Sequence, residues 1–313
     1  MPTMNSILSI LGFLSISFQC MGDSSIPNVR SGTIDRYENF SSEYVTTRHV
    51  DVWLPGNYDP GKKYAVLYMH DGQMLFDASI TWNRQAWKVD SIAGELMEKG
   101  KIRDVIVVGI WNGGTTRHAD YFPQKPFESL NRKDKKRILE ADREDSASLF
   151  QGHKINSDNY LKFLVRELKP FIDKKYSIHT GKDHTFIAGS SMGGLISLYA
   201  ICEYPEVFGG AACLSTHWPG ILSMENNPVP DAFLRYLEVH LPDPSNHLIY
   251  FDYGTEDLDA LYPPLQKQVN KVMKIRGFSE KNWITREFPG EGHSENAWKR
   301  RLHIPLLFML SEN

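Results

Sequence analysis

A chain of 313 residues with 41% hydrophobic and 23% charged side chains has ordinary globular composition, which excludes disorder, collagen and coiled coil. Lys+Arg 35 against Asp+Glu 38 leaves a net charge of −3, so nothing draws the chain onto nucleic acid or an anionic membrane. A domain this long can bury roughly three quarters of its unfolded surface and needs no disulfide or metal staple.

The first segment departs from that average. Ile7 to Phe18 is an unbroken run of apolar residues, Ser and Gly, ending at Cys20. It is too short for a bilayer span, which takes about 20 apolar residues, but it matches the apolar region of an export signal over residues 1–20. Cys20 directly after it resembles the lipid-modified cysteine of a bacterial lipoprotein. Two features depart from that pattern: no Lys or Arg precedes the run, and Gln19 stands where such signals carry a small residue. The expectation is an exported protein, periplasmic or anchored to the membrane by a lipid on Cys20, with residues 21–313 forming one domain.

Thr33 to Tyr37 and Tyr44 to Leu54 read as two strands around a polar turn. Pro55-Gly56-Asn57 and Asp59-Pro60-Gly61 mark loops. Continuous apolar strands then follow at Tyr64–Met69, Val105–Ile110, Thr185–Ala188, Ala211–Leu214, Leu248–Phe251 and Ile284–Phe288. Helical stretches separate them at Trp87–Lys99, Asp158–Lys174, Leu195–Glu203 and Leu265–Arg276, and a last helix starts near Ser294. Buried strands alternating with helices predict an α/β fold with a mainly parallel sheet covered on both faces and antiparallel N-terminal strands at one edge. Residues 125–157 break the rhythm as a charged insertion, and its mixed-sign run from Asn131 to Arg137 reads as a solvated helix. Cys202 falls on a predicted helix and Cys213 on a predicted strand, so both read as buried thiols acting as small hydrophobes.

The strongest chemical signal is Gly189-Ser190-Ser191-Met192-Gly193, a Gly-x-Ser-x-Gly between a strand and a helix. A sharp strand-to-helix turn lifts the central hydroxyl above the sheet, and flanking glycines avoid clashes within it. Ser191 is therefore the candidate nucleophile. Its base is a histidine held by a carboxylate, in the chain order Ser, acid, His. Of eleven histidines, His293 lies in Pro289-Gly290-Glu291-Gly292-His293, past the last strand and before the last helix. The acid belongs to the crowded loop Asp252-Tyr253-Gly254-Thr255-Glu256-Asp257-Leu258-Asp259. Asp252 reads as still on the strand and Asp259 as opening a helix, which leaves Asp257 preferred and Glu256 next. Backbone N–H donors for an oxyanion are expected from Met192, which follows the nucleophile, and from Gln73 in the loop His70-Asp71-Gly72-Gln73. His70 and Asp71 read as braces of that loop.

These residues resemble the putative-esterase family of α/β-hydrolases, which includes feruloyl and acetyl-xylan carbohydrate esterases, enterochelin esterases, S-formylglutathione hydrolase and the mycolyltransferases. The resemblance runs from about His49 to the C-terminus. Its further marks are Leu75-Phe76-Asp77, Val108-Gly109-Ile110, Arg117 before Tyr121-Phe122-Pro123, Glu167 to Ile172, Leu214-Ser215-Thr216-His217-Trp218, and Trp298. It implies a serine hydrolase without cofactor or metal, acting through an acyl-enzyme, with Ser191, Asp257 and His293 as triad and the Gln73 and Met192 amides as oxyanion hole. Arg117, His217 and Trp218 become candidate substrate-pocket walls. The substrate it implies is a small-molecule or oligosaccharide ester, with a carbohydrate-linked acetyl or feruloyl ester as the first expectation. A siderophore ester is the alternative; an acyltransferase or a non-catalytic ligand-binding lipoprotein follows behind. Nucleic acid is not an expected partner.

Overall fold

Eight strands pair into one sheet in the order β1-β2-β4-β3-β5-β6-β7-β8 in a computed structural model that describes residues 25–142 and 147–311. The strands are β1 Thr33–Phe40, β2 Arg48–Leu54, β3 Ala65–His70, β4 Val105–Ile110, β5 Thr185–Ser190, β6 Gly210–Leu214, β7 Leu248–Gly254 and β8 Trp283–Phe288. β1 and β2 run antiparallel at one edge, and every pairing from β4 to β8 is parallel. The expected export segment and Cys20 lie outside the described residues.

Side chains alternate along each strand and feed two cores. Val66, Tyr68, Ile187, Ala211 and Phe251 point to one face; Leu67, Met69, Phe186, Ala212 and Tyr250 point to the other. This two-residue period is what a sheet covered on both sides requires. The first face is covered by helix α2 (Met192–Glu203), by α3 (Val229–His240) and by a long helix built from Ser157–Lys162, Phe163–Leu168 and Lys169–Lys175. The second is covered by α1 (Val89–Glu98) and, at the C-terminus, by α5 (Glu295–Arg301) and α6 (His303–Leu310). α4 (Pro263–Ile275) packs with α3 on the first side.

Local chemistry sets several boundaries. β2 begins at Arg48 rather than Tyr44, because Ser42 Oγ accepts from the N–H groups of Tyr44 (2.9 Å) and Val45 (3.2 Å) and ties that stretch into a turn. In the long helix the middle stretch widens to a π-type turn just ahead of Pro170, whose ring cannot follow a regular turn. Pro305 likewise divides the C-terminal helix into α5 and α6. The charged insertion forms a helix at Arg132–Leu139, capped by Asn131, and anchors itself in the first core through Leu130, Ile138 and Phe150.

Cys202 and Cys213 are free and buried, and burial pushes both thiols well above their ordinary range. Among the described residues no helix is long and apolar enough to cross a membrane.

Candidate active site

β5 ends at Ser190 and α2 begins at Met192, so Ser191 forms the whole connection between them. Its backbone takes φ 57° and ψ −123°, a region that non-glycine residues occupy at a cost of about 1–3 kcal/mol. The Ser191 N–H donates to the Leu214 carbonyl at the end of β6 (2.9 Å), which holds the turn above the sheet. A Cβ on Gly189 would stand 2.6 Å from the Gly193 carbonyl carbon, so the turn closes only with a bare backbone on its strand side.

Met192 and Gln73 occupy the first turns of α2 and of the short turn Gly72–Met74, where N–H groups have no acceptor within their own helix. The two segments touch, since a Cβ on Gly193 would lie 3.3 Å from His70 Cβ and 3.4 Å from Asp71 Oδ2. The loop His70-Asp71-Gly72-Gln73 is braced by its own side chains. His70 Nδ1 pairs with Tyr160 Oη at 2.8 Å, and burial drives the imidazole down to about 3, so it stays neutral.

Asp71 accepts two bonds of 2.7 Å from Arg117 Nε and Nη2, and a third of 2.7 Å from Asn112 Nδ2. Burial raises the Asp71 carboxyl, but the Arg117 charge and the hydrogen bonds from Arg117 and Asn112 together outweigh it and hold the group below its ordinary value.

His293 sits between Tyr262 and Trp298, edge-on to the indole with ring centroids 5.0 Å apart. Its Nδ1 lies 2.5 Å from Asp259 Oδ1, with the imidazole 16% exposed and the carboxylate fully buried. The expected acid was Asp257, and the structure corrects this. Asp257 and Glu256 both face solvent. Asp257 Oδ2 lies against Gly292, where a Cβ would approach it to 2.1 Å. Residues Asp257–Leu261 wind into a tight helix of three residues per turn that carries Asp259 and then Tyr262 inward. Burial raises the Asp259 carboxyl, but donors outweigh it: His293, Ser215 Oγ at 2.5 Å and the Gly254 N–H at 2.6 Å hold it below its ordinary range. The loops carrying Asp259 and His293 are joined directly, because the Glu291 carbonyl accepts from both Thr255 (3.0 Å) and Glu256 (3.1 Å).

Ser191 and His293 share a neighbour. The His217 N–H donates to the Ser191 carbonyl (3.2 Å), and its Nδ1 meets Tyr262 Oη (2.9 Å), whose ring adjoins His293. Burial pushes His217 down to about 3.

The three expected pocket walls fare differently. Arg117 is engaged by Asp71 on both arms and lies over the Tyr121 ring. His217 is buried, and Trp218 is 2% exposed, with Nε1 donating to Gln266 Oε1 (2.9 Å) and its ring against Phe251. Trp218 therefore belongs to the core, whereas Trp82 is 57% exposed. Trp82 precedes Asn83, whose Nδ2 donates to Glu295 Oε2 (2.7 Å) two residues after His293. Sequence reasoning passed over Trp82, Asn83 and Glu295, which no motif marks.

A separate cleft of about 480 Å³, lined by Tyr44, Thr116, Asp120, His153 and Asn156 among others, includes neither Ser191, Asp259 nor His293. Among the described residues no cluster of His, Cys, Asp or Glu is arranged to hold a metal.

Comparison with known proteins bears on what this geometry serves. The profile of a family described as "Putative esterase" matches residues 41–309. An uncharacterised Bacillus subtilis protein, YjcH, is 26% identical over 234 residues, covering 74% of this chain and 76% of that protein. A Xylanibacter ruminicola endo-1,4-beta-xylanase/feruloyl esterase is 25% identical over 286 residues, which is 88% of this chain but 31% of that longer protein. Among solved structures, the enterobactin esterase of Shigella flexneri superposes with a TM-score of 0.63 at 18% identity, covering 90% of this chain and 60% of that one. That likeness speaks to the fold.

Proposed function

This chain belongs to the Putative esterase family and is a carboxylic-ester hydrolase; from that premise we propose an exported serine esterase that cleaves a carbohydrate-linked acetyl or feruloyl ester through an acyl-enzyme. The observation that carries the mechanism is the 2.5 Å contact between His293 Nδ1 and the buried Asp259 carboxylate, taken with the strained turn of Ser191. With Nδ1 donating to Asp259, a neutral His293 keeps its lone pair on Nε2. Ser191 Oγ attacks the ester carbonyl carbon while His293 Nε2 takes the hydroxyl proton. The imidazolium is stabilised by Asp259, and the oxyanion accepts from the Gln73 and Met192 amides. Collapse expels the alcohol, which leaves with the proton from His293. Water then repeats the sequence on the acyl-Ser191 ester and releases the acid.

Charge favours a neutral substrate. Arg117 is paired with Asp71, and the partly buried Glu295 stands close enough to both to influence their ionisation. A phenolic or acetyl ester on a sugar brings no negative charge against the Glu295 carboxylate, and Trp82 offers a face for a sugar or aromatic ring. The feruloyl esterase relative supports the same reading. An anionic catecholate ester of a siderophore, the alternative, would need its cation from elsewhere. A purely ligand-binding role leaves the strain at Ser191 and the buried acid without purpose. Export rests on the Ile7–Phe18 segment.

Hydrolysis of a short-chain p-nitrophenyl ester tests the mechanism. Ser191→Ala abolishes turnover, and Asp259→Asn lowers kcat by roughly 10³- to 10⁴-fold, as expected when the base loses its orienting acid. Asp257→Asn and Glu256→Gln stay within about twofold of the parent, because these carboxylates face solvent. A larger loss in Asp257→Asn would return the acid to that residue. Comparing kcat/KM on methyl ferulate, acetylated xylan and a cyclic catecholate ester tests the substrate class, and preference for the catecholate replaces the reading by its alternative.

A further inference from the structure

We propose that Ser215 and Arg301 are positioning residues that keep Asp259 an acceptor only, and so hold His293 with its Nε2 unprotonated for the nucleophile. The proposal rests on the triad reading above and adds two residues that touch none of the reacting atoms.

The argument is one of hydrogen-bond inventory. A serine hydroxyl has one proton to give and two lone pairs to fill. Ser215 Oγ has three close neighbours: Asp259 Oδ2 at 2.5 Å, Trp298 Nε1 at 2.9 Å and Arg301 Nη2 at 2.8 Å. Indole and guanidinium nitrogens only donate, so they fill both lone pairs and the single proton must point to Asp259. The Gly254 N–H donates to the same carboxylate oxygen. Protonating Oδ2 would set a third hydrogen among these donors, and the bonds to Oδ2 stabilise the carboxylate anion, so the hydrogen shared with His293 sits on Nδ1 rather than on Oδ1.

Arg301 supplies the charge that makes this arrangement tenable. It is 2% exposed, bonds Asp252 Oδ1 at 2.8 Å and lies 3.8 Å from Asp259 Oδ2, a counter-ion between two fully buried carboxylates. Its Nε and Nη1 have no protein partner. A buried arginine set between two carboxylates is a poor device for stability alone, where apolar side chains serve as well or better. Ser215 itself is fully buried at φ 42°, a left-handed backbone that a non-glycine residue adopts at a cost. The groups facing His293 are Asp259 from its tight turn, Glu295 from the first turn of α5, neutral His217 from the loop after β6, and Tyr262.

Steady-state kinetics over a pH range tests the node. Ser215→Ala is expected to lower kcat by about 10- to 100-fold with KM within about twofold, the loss of one hydrogen bond to a buried charge. It is also expected to move the acid limb of kcat/KM to higher pH, because an Asp259 short of one donor binds imidazolium more strongly. A merely structural role lowers thermal stability and leaves the limb in place, which would overturn the proposal. Arg301→Lys keeps the charge but cannot bridge Ser215 and Asp252 together; it is expected to shift the limb the same way, and decides the matter if Ser215→Ala does not fold. In an Asp259→Asn background, Ser215→Ala should cost nothing further, and independent multiplying losses also overturn the proposal. If Asp259→Asn alone leaves kcat unchanged, the triad reading fails instead.

Discussion

Ser191 carries a conformation that its side chain makes expensive. At φ 57° and ψ −123° a glycine rests more easily than any residue with a Cβ. Ser191→Gly is therefore expected to raise stability by about 1 kcal/mol, the relieved strain less the extra freedom glycine gains in the unfolded chain. Ser191→Ala retains the strain and gains little. Both lack activity, and equal denaturant midpoints for the two variants would refute the strain. The places of Ser191 at a strand-to-helix turn and of His293 in a glycine-flanked loop were legible because both settings leave marks in composition. Asp259 left none. Four carboxylates share its loop, and only the tight turn at Asp257–Leu261 decides which one enters the protein. Spacing suited to an open loop pointed to Asp257, which instead faces water.

At the scale of elements, the inner parallel strands β3 to β7 were readable because a strand covered on both faces is apolar almost without interruption. β3 to β8 fall within a few residues of their expected bounds. Helix α3 was passed over although its signal is present: Val229, Ala232, Phe233, Tyr236 and Leu237 are its buried face, at helical spacing. Pro228 and Pro230 hide its start, yet proline is well tolerated in a first turn. The β5–α2 junction was visible for the opposite reason, as glycines mark where backbones meet. Gly189→Ala forces a methyl group into the Gly193 carbonyl carbon at 2.6 Å. The expected cost is about 2–4 kcal/mol, with the hydroxyl of Ser191 displaced and turnover lost in the protein that still folds. Full activity at an unchanged melting temperature would show that the turn has room to spare.

Over the whole molecule, near-neutral net charge conceals buried groups that titrate far from their usual values. His70 and His217 are both buried and pushed down to about 3 by desolvation. Each takes up a proton on unfolding below about pH 6.5, so stability falls as the medium is acidified, by about 1.4 kcal/mol per pH unit for each. Asp252 acts in the opposite sense. Burial lifts it to about 6 despite Arg301, so between about pH 4 and 6 the folded chain holds the proton and one of the two histidines is offset. The urea midpoint should drop clearly from pH 7 to pH 5, and a constant midpoint over that interval would contradict the buried, neutral histidines.

The Glu291 carbonyl, accepting from Thr255 and Glu256 together, makes one body of two loops that are separated by a helix and a strand in the sequence. For recombination this divides the chain unevenly. A crossover between α4 and β8 would draw the acid from one parent and the base from another, and the shared carbonyl would have to suit both. A crossover ahead of β7 would carry Asp259, Glu291, His293 and Arg301 across as a single cassette. The portion from Leu248 onward thus travels as one piece, while Ser191 and Ser215 come to the site from the preceding strands.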